Sequence, residues 1–115
     1  MPQPQGHVQL VLNMVDFGMS PQAAIDAPRF LIGPADTAVG QVSFEDGIAP
    51  DVVEELARRG HVMNPAGILC GYDRAAFGRA QVIARRQVQA KTSQGRAHVY
   101  EAGSDTRADG FALAY

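Results

Sequence analysis

The chain has 115 residues, 46% of them apolar and 19% charged, the balance of a globular protein with one core, which excludes disorder over its whole length. Twelve acidic residues against ten basic ones leave a net charge of -2 and no general attraction for nucleic acid or anionic lipid. The single cysteine, Cys70, excludes an intrachain disulfide and a cysteine-rich zinc site.

The opening Met1-Pro2-Gln3-Pro4-Gln5-Gly6 lacks the basic-then-apolar order of a secretory signal. From His7 to Phe17, Gln9, Asn13 and Asp16 recur at helical spacing with apolar residues all around them, which predicts a helix buried on most sides. Its apolar run, Val8 to Val15, is far short of the ~20 residues that a membrane span takes. Gly18 suits the position after a helix, and Ser20-Pro21 reads as an N-cap with proline at the first helical position. A second helix over Pro21 to Asp26 must stop at Ala27, because the residue before Pro28 is pushed out of the helical region, and Arg29 to Ile32 is then extended.

Residues 33–40 read as a turn-rich loop, and Gln41 to Glu45 alternates as a strand with Val42 and Phe44 toward the core. Pro50 to Arg59 has acids early and Arg58 and Arg59 late, as the helix dipole favours, with Val52, Val53 and Leu56 as its apolar stripe. After Gly60, His61 to Met63 forms a short strand, and Asn64 to Gly78, with no sustained period, reads as a loop. Gln81 to Val88 and Ala97 to Ala102 form a hairpin. A polar turn over Gly103 to Gly110 precedes an apolar end, Phe111 to Tyr115, of the kind that docks against something. The order of elements is that of an α/β (α+β) chain whose sheet is at least partly antiparallel.

Residue chemistry alone assigns no activity. His7, His61, His98 and Cys70 do not pair at the spacing of metal ligands on one helical face, so no metal is expected. No phosphate-binding glycine pattern occurs. Glu54 and Glu55 lie early in an amphipathic helix, where they read as solvated partners of its dipole rather than an acid/base pair.

Four blocks in register carry a resemblance. They are Gln3-Pro4-Gln5-Gly6-His7-Val8-Gln9 with Asp16-Phe17-Gly18 through Ala27-Pro28-Arg29-Phe30; Glu45-Asp46-Gly47 with the helix ending at Gly60-His61; Phe77-Gly78-Arg79-Ala80-Gln81; and Gly103-Ser104-Asp105-Thr106-Arg107-Ala108-Asp109-Gly110. In this order they resemble the C-terminal part of the γ-glutamyltranspeptidase family. Thr106 stands where the family usually has proline, Ala114 where it often has glycine, and the segment from Met63 to Ala76, with Cys70, matches no block.

The resemblance implies a partial N-terminal-nucleophile hydrolase fold: an α-β-β-α sandwich, its mixed or antiparallel sheet packed with helices, of which residues 1–115 are a single partial domain from the end of the small subunit. It implies transfer or hydrolysis of γ-glutamyl groups on glutathione-like substrates by an N-terminal threonine, without a cofactor. That threonine, the serines of the substrate pocket and the oxyanion-binding glycine pair all map ahead of Met1. Thr37, Thr92 and Thr106 lack the nucleophile's context, so no residue here is assigned as catalytic and the chain alone is expected to be inactive. Gln3 and Gln5 fall nearest the inferred substrate pocket, and they read at least equally well as solvated or structural amides. Arg29, Asp105 and Arg107 read as a structural motif of charge-assisted hydrogen bonds. Implied partners are the remaining large- and small-subunit segments, or a second copy of the chain. Nucleic acid and membrane are not expected partners, and the compartment stays open although relatives are often periplasmic or extracellular. The competing reading is a stand-alone, non-catalytic interaction or assembly module derived from that scaffold.

Overall fold

The structure, a computed structural model, describes residues 3–33, 40–89 and 96–113. Its elements run α1 (Gln3–Val15), α2 (Pro21–Asp26), β1 (Phe30–Ile32), β2 (Val42–Glu45), α3 (Pro50–Arg58), β3 (Met63–Leu69), a 3₁₀ segment (Gly71–Phe77), β4 (Gln81–Gln89) and β5 (Arg96–Ser104). One sheet has the order β1-β2-β3, antiparallel then parallel, and the second is the β4-β5 hairpin, so the fold is mixed α+β.

α2 has the bounds that its capping signals predict. The Ser20 side chain accepts a hydrogen bond from the Ala23 N–H at 3.3 Å, and Pro21 occupies the first turn. α2 supplies Ala24 and Ile25 to the core, where they join Leu10 of α1, with Met14, Met19, Ala80 and Val82 packed around them. The root of the hairpin lies directly on α2: a Cβ at Gly103 would stand 2.9 Å from the Gln22 nitrogen and 2.9 Å from Ile25 Cδ1. Only glycine lets strand and helix approach this closely.

α1 corrects the expectation of a helix buried on most sides. Val8, Val11, Leu12 and Val15 are exposed, while Gln5, Gln9 and Asn13 face inward. The inversion has a hydrogen-bonding cause. Ile32 donates its N–H to Gln5 Oε1 at 2.8 Å and accepts from Gln5 Nε2 at 3.1 Å; Phe30 exchanges the same pair of bonds with Gln9, each at 3.0 Å. Two amides spaced one helical turn apart thus stand in for a strand along the free edge of β1, satisfying backbone groups that its sheet leaves open.

One more expectation changes. The loop predicted over 64–78 is partly β3, whose pairing with β2 breaks register between Val42↔Met63 and Phe44↔Ile68. Pro65 and left-handed Gly67 lie in that break and erase the two-residue period. At the apolar end, Phe111 and Leu113 are exposed, and Tyr115 lies outside the described residues. The radius of gyration is 17.4 Å, against roughly 13 Å for a compact domain of this length. The chain leaves much of its apolar surface uncovered.

Candidate functional site

Behind α2, where the end of β2 meets the start of β4 and the end of β5, four charged side chains are buried together: Arg29, Glu45, Asp105 and Arg107. Asp105 is 2% exposed. Its Oδ2 takes hydrogen bonds from Arg29 Nη2 and the Ala80 N–H, both at 2.8 Å, and its Oδ1 takes the Arg107 N–H and Arg107 Nη1, both at 3.0 Å. Glu45 is 0% exposed. Arg107 grips it from Nε and Nη2, the Arg29 N–H bonds it at 2.8 Å, and Arg74 Nε reaches it at 3.2 Å.

The two arginines also hold backbone. Arg107 donates to the carbonyls of Ile25 and Ala27, and Arg29 to those of Ile25 and Gly78. The carbonyls at the end of α2, which have no partner within their helix, are thus met by cations whose charge suits that end of the helix dipole.

Burial by itself would push the Glu45 carboxyl upward, but the hydrogen bond from Arg107, the Arg29 N–H, the charge of Arg107 and the bond from Arg74 hold it below its ordinary value. The same competition holds Asp105 low: burial raises it, and the Arg107 N–H with the Arg29 and Arg107 side chains outweigh that. For Arg107, burial alone would lower the pKa, yet Glu45 and Asp105 leave it raised. Both carboxylates stay ionised and fully engaged, an arrangement that fixes geometry and offers no free base.

The residues singled out by sequence fall in three places. Arg29, Asp105 and Arg107 meet in this cluster. Gln5 lies apart from it, on α1 against the edge of β1, with both ends of its amide occupied by Ile32. Gln3 opens α1, and its side chain lies outside the described residues. Glu45 is the member that sequence reasoning missed, since strict alternation along β2 sends it to solvent, whereas all four residues of β2 are buried. Its position at the head of Glu45-Asp46-Gly47 was the available signal.

Of the threonines, Thr37 and Thr92 lie outside the described residues, and Thr106 is exposed with its Oγ1 3.5 Å from Asp26. Cys70 is exposed. Among the described residues, no three His, Cys, Asp or Glu side chains group as metal ligands, and no helix is long and apolar enough to cross a membrane. Glu55 is engaged by Arg58 and Arg59 on the surface of α3.

The model of the Gamma-glutamyltranspeptidase family matches residues 1–115. The chain belongs to this family. Among solved structures, a cephalosporin acylase from Bacillus halodurans is 36% identical with a TM-score of 0.73, over 97% of this chain and 18% of that one. The γ-glutamyltranspeptidase of Helicobacter pylori is 21% identical with a TM-score of 0.63, over 91% of this chain and 48% of that one. That of Pseudomonas nitroreducens is 20% identical with a TM-score of 0.63, over 96% and 48%. The comparison with curated proteins returns no match. The family chain therefore spans less than half the length of each of these structures, and its mixed α+β architecture corresponds to part of the γ-glutamyltranspeptidase fold.

Proposed function

We propose that residues 1–115 are the C-terminal segment of a γ-glutamyltranspeptidase small subunit, a partial N-terminal-nucleophile hydrolase sandwich. It would act within an enzyme that transfers or hydrolyses γ-glutamyl groups of glutathione-like substrates. The observation that carries this reading is the family match along the whole chain together with its coverage of only 48% of the Helicobacter pylori enzyme chain. The uncovered apolar face of α1 and the 17.4 Å radius of gyration support it, since both suit a segment completed by others. In this reading the nucleophile comes from a segment outside these residues, and the buried cluster around Arg107 is a structural lock. Gln3 and Gln5, in the first turn of α1, lie on the approach to the substrate pocket.

The test is a graft. Residues 1–115 replace the corresponding segment of the Helicobacter pylori γ-glutamyltranspeptidase, and both self-cleavage and hydrolysis of a γ-glutamyl anilide are measured. We expect the graft to cleave itself and to hydrolyse the anilide, and the chain alone to show no hydrolysis above background. A folded graft that does neither would favour the stand-alone assembly module.

A further inference from the structure

Arg79 borders two cavities and makes no hydrogen bond or ion pair among the described residues. One of these cavities, about 360 Å³, lies between the first turns of α1 and the segment that leads into β4. This volume falls within the range of small-molecule sites, about 300–1,000 Å³. Leu10, Ala76, Phe77 and Ala80 give it apolar walls, and its polar side chains are His7, Arg29 and Arg79. No carboxylate is among its described lining.

The charge of this lining points to one class of ligand. Arg29 is 3% exposed and its charge is already met by Asp105 at 2.8 Å, so Arg79 is left as the single uncompensated cation. Arg29 also keeps one donor unused: its terminal nitrogens bond Gly78, Ile25 and Asp105, but its Nε is buried with no acceptor. One net positive charge over apolar walls suits a monoanion with a compact apolar body, and the planar fork of arginine matches a carboxylate. A dianion such as a phosphate ester would bring one more charge than the lining balances.

We propose that this cavity binds a small monocarboxylate, its carboxylate on Arg79 and its apolar tail against Leu10, Ala76 and Phe77. The inference goes beyond the family reading and rests on the chain's own lining residues.

Saturation-transfer NMR on the full chain tests it, with 3-methylbutanoate as probe and 3-methylbutanamide as its neutral match. We expect saturable binding of the acid, with the amide weaker by about tenfold because it cannot form the charged pair. Arg79→Gln should weaken the acid to the level of the amide, Arg79→Lys should restore part of the difference, and Ala76→Phe, which fills the cavity, should remove binding of both. Ala76 and Arg79 are exposed, so these variants leave the core intact. Equal affinity for acid and amide, binding undiminished in Arg79→Gln, or the absence of saturable binding would each overturn the proposal.

Discussion

Arg107 and Glu45, 62 residues apart in sequence, form a two-pronged ion pair with both side chains fully buried. The pair fastens the turn after β5 to the end of β2, and the same arginine holds the last carbonyls of α2. Such a pair is weak evidence of net stabilisation, because two charges had to leave water, but breaking it by removing one partner strands the other. Glu45→Gln is therefore expected to cost roughly 3–5 kcal/mol, read by thermal or urea unfolding. The double variant Glu45→Leu with Arg107→Leu should lose less than the two single losses combined, and strict additivity would show that the two residues do not act as a unit.

The pH dependence follows from the same carboxylates. Glu45 and Asp105 are both held below their ordinary 4.5 and 3.8 when folded, so over the acid range the unfolded chain binds more protons than the folded one. Stability then rises with pH. Their contribution is complete above the ordinary carboxylate range and is lost as pH falls through the lowered folded values. The melting temperature should hold from neutral pH to about pH 5 and drop below about pH 4. In Glu45→Gln the acid limb should be shallower, and an identical limb in the variant would remove Glu45 from the account.

What sequence conveyed and what it hid divide along physical lines. α2 and the hairpin were legible because their signals are local: a serine cap with proline behind it, Pro28 ahead of the extended segment, and a two-residue period along β4. The orientation of α1 was not, because an amphipathic reading assigns amides to solvent, whereas Gln5 and Gln9 complete the edge of a strand more than twenty residues away. β3 was hidden by Pro65 and Gly67 at its register break. Arg29, Asp105 and Arg107 stood out through the family blocks, whereas Glu45, which heads one of those blocks, was passed over because strict alternation along β2 sends it to solvent.

The close approach at Gly103 makes a sharp prediction. A larger residue there meets backbone as well as the Ile25 side chain, so the hairpin root must lift from α2. Gly103→Val should destabilise by about 1–3 kcal/mol, the usual cost of overpacking. Gly33→Ala, whose added carbon would stand 3.5 Å from the Gln41 carbonyl, should unfold at nearly the unmodified denaturant midpoint. Comparable losses at the two sites would show that the strand does not rest on the helix.

The exposed face of α1 governs how the chain behaves in solution. Val8, Val11, Leu12 and Val15 recur at helical spacing on the outer side, with Phe17 beyond them, and all five are exposed. Leu10, on the opposite side, is 7% exposed and belongs to the core. A carboxylate at position 12 therefore reaches water, so Leu12→Asp should leave the unfolding midpoint nearly unchanged, while Leu10→Asp should cost several kcal/mol. An apolar helical stripe left to water drives association, so the unmodified chain should scatter light increasingly with concentration and bind an apolar dye. Leu12→Asp paired with Val15→Asp should reduce both signals without loss of fold. A monomer at high concentration that binds no dye would mean that the stripe is covered in solution, and with it would go the argument that this surface awaits a partner.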